Sequence, residues 1–276
     1  MFELMHKSFQ THACRLVYYK FSGNKNEMNI LYIHGLAPIT ASFNEDFLHQ
    51  IKEFSLSEYS WLIPHLIGFG ESEKPDNLDL YTMENQAQYL YELLLLEKVS
   101  NIIIMAHSMG GPVAISLIYK IKSQSDQDMQ INGLLYLEGN LDKNDTFFSS
   151  TIAKFPFEEF KTQFDLWVDN IIKRSKSEIF EGFRRSGPYS IWGSAFDVVK
   201  LSEGNQLLPR LQKLLDFPIF FIFGEKNKGR FSSETLVKDA NLPLVYIPNT
   251  GHQMFFDNPQ EFWMVFKDLI KNCMKK

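Results

Sequence analysis

Cysteine is nearly absent from this sequence: 276 residues carry two, Cys14 and Cys273, near opposite ends. Two thiols so placed build neither a disulfide framework nor a zinc-ligand cluster, and they fit a reducing compartment. A basic excess is missing as well. Lys and Arg number 28 against 33 Asp and Glu, a formal net charge of -5, so no global positive field is available to hold nucleic acid or acidic lipid. No apolar run approaches the length that spans a bilayer. The first twenty residues, with Glu3 and His6 early, lack the continuous apolar core behind a basic start that marks a signal peptide. Internal repeats and low-complexity tracts are also missing. What remains is a chain long enough for one large domain with an insertion, or at most two domains, expected in the cytoplasm without stable membrane insertion.

Short β-branched or apolar runs recur at Leu16–Phe21, Asn29–Ile33, Trp61–Leu66, Asn101–Ala106, Gly133–Leu137, Ile219–Phe223 and Leu244–Ile247. Met83–Leu96 and Pro112–Ile121 between them show helical spacing. A C-terminal stripe of Phe262, Val265, Phe266, Leu269 and Ile270 follows a helix opening at Asn258-Pro259. This alternation predicts an α/β fold with a mostly parallel, buried sheet flanked by helices. The rhythm breaks over 141–212, where strand-like runs stop and aromatics crowd in, Phe147, Phe148, Phe160, Phe164, Trp167, Phe180 and Phe183 among them. A helical insertion, or cap, over the sheet's C-terminal edge is expected there, with 1–140 and 213–276 forming the core domain. Most of those aromatics are read as the insertion's own core and a minority as pocket wall.

The run Asn101–Met105 leads straight into Ala106-His107-Ser108-Met109-Gly110-Gly111, and a helical pattern follows. A strand, a sharp turn and a helix with small residues two before and two after a serine form the setting of a nucleophile elbow, which lifts the hydroxyl above the sheet edge. A serine hydroxyl is a poor nucleophile near neutral pH and needs a base with an orienting group behind it. His252, in Pro248-Asn-Thr-Gly-His252 after the last strand, is the candidate base; His34, His65 and His107 adjoin other loops but lack that late position. Leu31-Tyr-Ile-His34-Gly35-Leu36 ends an early strand in a His-Gly turn, where the N–H of Leu36 could face a developing oxyanion beside the N–H of Met109.

Taken jointly, His34-Gly35, Gly68-Phe-Gly-Glu-Ser72-Glu-Lys-Pro75, His107-Ser108-Met109-Gly110-Gly111 and Gly251-His252 resemble the cap-bearing group of α/β-hydrolase-fold proteins, in that family's order from about residue 30 to 260. The Gly68–Ser72 loop is by its family role a structural turn. The resemblance also exposes a departure. Many members carry the orienting acid after the strand read here as Ile219–Phe223, at a Gly-x-x-Asp-like site, whereas this chain has Gly224-Glu225-Lys226-Asn227. Asn227 is expected to act only as an acceptor through its amide oxygen, and its replacement by alanine is expected to be mild. Other members carry the acid one strand earlier, where Tyr136-Leu137-Glu138-Gly139-Asn140 stands. Glu138 ends an apolar strand, where an unpaired carboxylate would be costly to bury. It is the favoured acid, with Asp142 and Glu225 as alternatives.

The expectation is a serine hydrolase acting on a small, apolar carboxylic ester or related acyl compound. Ser108, His252 and Glu138 would form its triad, Leu36 and Met109 its oxyanion donors, and neither metal nor organic cofactor is required. Two alternatives stand beside it. The same triad could cleave a C–C bond, thioester or amide, or transfer the acyl group; or the protein could bind an apolar ligand with little turnover. The sequence leaves the oligomeric state open.

Overall fold

The structure is a computed structural model and describes residues 4–23, 28–36, 43–124, 129–175 and 178–275. In chain order its elements are β1 (Leu4–Gln10), β2 (Arg15–Phe21), β3 (Met28–Ile33), α1 (Phe43–Glu53), β4 (Ser60–His65), α2 (Met83–Leu96), β5 (Asn101–His107), α3 (Gly110–Ser123) and β6 (Gln130–Leu137). Five helices follow, α4 (Phe147–Ala153), α5 (Phe157–Thr162), α6 (Phe164–Ser175), α7 (Pro188–Glu203) and α8 (Leu207–Gln212). The chain then returns through β7 (Ile219–Gly224), α9 (Ser232–Asp239), β8 (Leu244–Ile247), α10 (Met254–Asp257) and α11 (Pro259–Cys273).

The strands form one eight-stranded sheet in the order β1-β2-β4-β3-β5-β6-β7-β8. β1 and β2 pair antiparallel, as do β2 and β4, and every other pairing is parallel. Successive strand side chains point to opposite faces, so a strand covered on both sides must be apolar throughout. β5 obeys this: Ile102, Ile104 and Ala106 join the core under α2, α3 and the β6–β7 helices, while Ile103 and Met105 join the core under α1, α10 and α11. That second core is aromatic, with Phe47 edge-on to Trp263 at 5.1 Å and Trp61 stacked on Phe266 at 5.8 Å.

All seven expected strands are present, and α2, α3 and α11 lie on the expected helical runs. Asn258 opens α11 as expected, accepting from the Glu261 N–H, with Pro259 in the first turn. β1, α1 and α9 carry no forecast. β1 is a half-exposed edge strand whose Lys7 pairs with Glu97, so the apolar alternation that marks a strand is weak in it. The β6–β7 connection is helical as anticipated, with residues 176 and 177 outside the described residues. Phe160, Phe164 and Phe183 are buried among one another and Trp167, as most of the aromatics there were expected to be. Cys14 and Cys273 are free and buried. Among the described residues no helix is long and apolar enough to cross a membrane.

Candidate active site

β5 ends at His107, and the next residue, Ser108, has φ 54°. An L-residue in the left-handed region costs about 1–2 kcal/mol and persists only when its surroundings hold it there. Here the Ser108 N–H continues the β5–β6 ladder to the Leu137 carbonyl at 2.9 Å, and the Ser108 carbonyl accepts from Gly111 N–H at 2.9 Å as α3 begins. The glycines beside it are sterically required. A Cβ on Gly110 would stand 2.4 Å from the Ile33 carbonyl oxygen, and one on Gly111 would stand 2.4 Å from the Tyr136 ring.

One strand over, Glu138 repeats the device at the end of β6, with φ 39° and its N–H donating to the Ile222 carbonyl at 2.9 Å. Its carboxylate lies inside the protein. Oε2 accepts from His252 Nδ1 at 2.7 Å, Oε1 accepts from the Gly224 N–H at 2.7 Å, and Asn227 Nδ2 donates to both oxygens at 3.0 and 2.9 Å. A carboxylate only accepts, so the His252 proton sits on Nδ1 and leaves Nε2 as the ring's acceptor nitrogen. The Glu138 side chain is wholly buried and that of His252 is 38% exposed. A buried carboxylate thus stands behind an imidazole at the cavity edge.

Asn227 therefore does the opposite of what was expected of it: it donates to the acid through Nδ2 rather than accepting. A carboxylate already occupies the position facing it, and an amide oxygen there would leave two acceptors opposed in a buried site. The other carboxylates proposed from sequence are engaged elsewhere. Asp142 caps a short turn through the Asn144 N–H and bonds Ser232 Oγ at 2.5 Å, and Glu225 accepts from the Asn249 N–H at 3.0 Å.

Two further histidines bracket the site. His107 Nε2 lies 2.8 Å from the His252 carbonyl oxygen, and the two rings are 4.6 Å apart. Burial, with His252 beside it, holds His107 well below the usual imidazole range, so it is a neutral Nε2–H donor. His34 is buried, which lowers it to about 4. The Leu66 N–H donates to its Nε2, so Nδ1–H donates to the Gly35 carbonyl at 2.7 Å and fixes the turn that carries Leu36.

Ser108, Glu138, His252, His107 and Leu36 all line one cavity of about 600 Å³. Met109 is buried at the start of α3. Among the described residues no hydrogen bond joins Ser108 Oγ to His252; such bonds are often long without substrate and tighten in the complex. The apolar wall comes from Phe147 and Phe148 of α4, Phe180, and Phe231, which stacks on His252 at 6.1 Å. Phe231, Arg230 and the bonding role of His107 were missed in the sequence. The first two sit in a turn with no motif, and only the adjacency of His107 to the serine pointed to it.

The family described as alpha/beta hydrolase fold matches residues 29–124, the stretch holding β3 through α3. The chain has the α/β-hydrolase fold. Lipase 1 of Psychrobacter immobilis is 39% identical over 109 residues, 39% of this chain and 32% of that protein, so the match spans about a third of the relative. Among solved structures, an esterase from Exiguobacterium antarcticum superposes with TM-score 0.74 at 15% identity, covering 97% of this chain and 100% of that one. The N-acyl homoserine lactonase AidH, as a mutant complexed with N-hexanoyl homoserine, gives TM-score 0.74 at 18% identity, covering 99% and 98%. These structures share the fold.

Proposed function

We propose that this α/β-hydrolase-fold chain is a serine hydrolase that cleaves a carboxylic ester, or a related acyl compound with an apolar body, through an acyl-enzyme on Ser108. The observation that carries the reading is the 2.7 Å bond from His252 Nδ1 to the buried Glu138, in the cavity that also holds the strained Ser108. Ser108 Oγ attacks the acyl carbonyl while His252 Nε2 takes its proton. Glu138 keeps the imidazole in the tautomer that permits this and stabilises the imidazolium. The Leu36 and Met109 amides receive the oxyanion; in comparable enzymes one such donor is worth about 3 kcal/mol. His252 returns the proton to the leaving group and then activates the water that releases the acid. The β6–β7 helices serve as the cap, with Phe147, Phe148 and Phe180 on the acyl chain. The similarity to a lipase and to the esterase fold supports an ester over a C–C bond or an amide, and the cytoplasmic location belongs to the same reading. With a carboxylate on His252, no observation favours a binding protein without turnover.

The test is labelling by a fluorophosphonate, read by intact mass beside Ser108→Ala, with turnover of p-nitrophenyl esters of graded chain length. One adduct per chain, lost in the variant and accompanied by ester turnover, is the expected result. No adduct on folded protein overturns the reading.

A further inference from the structure

The geometry points to a substrate that carries an anion: Arg230 is the residue that selects, from apolar acyl esters, those bearing a carboxylate or phosphate. The inference rests on the ester-hydrolase reading and narrows its substrate class.

Among the described residues lining the cavity, Arg230 is the one permanent cation. It is exposed, and its guanidinium has no hydrogen-bond or ion-pair partner among the described residues. Two carboxylates share the lining, and both are already satisfied. Glu138 receives His252, Gly224 and Asn227. Asp145 is 5% exposed and accepts from the Leu141, Asp142 and Ser233 N–H groups at 2.9, 3.2 and 3.2 Å. Arg230 therefore neutralises nothing in the cavity.

Its mounting is fixed. The Arg230 N–H donates to the Asn227 carbonyl at 2.9 Å, and Asn227 holds the triad acid. The Gly229 N–H donates to Glu234 at 2.5 Å, and that buried carboxylate also bonds Tyr246 and Lys238. The next residue, Phe231, packs against Phe147 at 5.4 Å. An apolar surface thus ends at an unpaired planar fork of donors, which suits carboxylate and phosphate oxygens bidentately. The substrate this fits is an amphiphile with its chain on the phenylalanines and its anion on Arg230.

The test compares p-nitrophenyl octanoate with its mono-octanedioate counterpart, and with an octanoate ending in phosphate, on wild type and Arg230→Gln. The preference in kcat/KM for an anionic ester over the neutral one is expected to fall about tenfold in Arg230→Gln, mostly in KM, the loss of one charge-assisted pair; whichever anion loses more identifies the group. An unchanged preference overturns the inference. Equilibrium binding of octyl phosphate, octanoate and 1-octanol to Ser108→Ala, with and without Arg230→Gln, decides the matter independently of turnover. Tighter binding of an anion that depends on Arg230 supports the site even if no ester is hydrolysed, and equal binding in both proteins overturns it.

Discussion

Replacing Glu138 by glutamine changes one oxygen to an NH₂ and leaves size and packing intact, yet every contact of the carboxylate is with a donor. If the new amide nitrogen takes the Oε1 place, it faces the Gly224 N–H now held at 2.7 Å. If it takes the Oε2 place, it faces His252 Nδ1, also at 2.7 Å. The first arrangement opposes two buried donors, at about 1–3 kcal/mol of stability. The second drives the proton of His252 to Nε2, the atom that accepts from Ser108 in the proposed mechanism. By analogy with loss of a triad acid, kcat should fall about 10⁴-fold, about 5 kcal/mol in the barrier. Asn227→Ala should lose far less, about tenfold, because Gly224 and His252 still hold the carboxylate; this exceeds the mild effect expected from the sequence. Adding Asn227→Asp to Glu138→Gln returns a carboxylate to the pair and should regain at least about tenfold of the lost rate. The assay is p-nitrophenyl ester kinetics and fluorophosphonate labelling rate, with a circular dichroism melt to show the fold is kept. A loss below about tenfold in folded Glu138→Gln, or equal small losses at both positions, would refute the reasoning.

Three other outcomes are expected. His107→Gln, which can place an amide N–H near the Nε2 position, should keep most activity, whereas His107→Leu should lose about tenfold or more in kcat with KM little changed, the loss of one buried hydrogen bond at the His252 carbonyl; equal rates in both variants would show the bond is idle. Gly110→Ala should cost about 1–3 kcal/mol in urea unfolding, because its Cβ would meet backbone oxygens of Ile33 and His34 at 2.4 and 3.0 Å, and backbone cannot yield as a side chain can. Acid should destabilise the protein: burial holds His34 near 4 and His65 near 3, so the unfolded chain binds protons below about 6.5 that the folded chain refuses. Stability is thus fully present above that pH and drains as pH falls through about 6 towards 4, by about 3 kcal/mol for His34 alone; urea midpoints that stay flat from neutral pH to about 5 would contradict this.

The sheet was legible because a strand covered on both faces has almost no freedom in composition, as β5 and β7 illustrate. β1 escaped because an edge strand facing water is nearly as polar as a loop. At the site, Ser108 and His252 could be placed from the turns around them, and the geometry sets Glu138 against His252. The direction of the Asn227 hydrogen bond could not be read, because an amide presents either a donor or an acceptor and only the neighbour across space decides which. Arg230 and Phe231 share that limit: a cavity wall drawn from α4, the 178–185 turn and the turn after β7 leaves no periodic trace along the chain.

Ser108 and Glu138 end adjacent strands and are tied by one ladder rung, the Ser108 N–H on the Leu137 carbonyl. Both precede the helices that leave the sheet after β6. With Glu138 on this side of that excursion, its spacing from Ser108 along the β5–β6 ladder does not depend on how long the excursion is or how it folds. The β6–β7 segment is thereby an exchangeable module. Foreign helices grafted between about residue 146 and residue 206 would change what the cavity admits while the rung from Ser108 to Leu137 stayed in register.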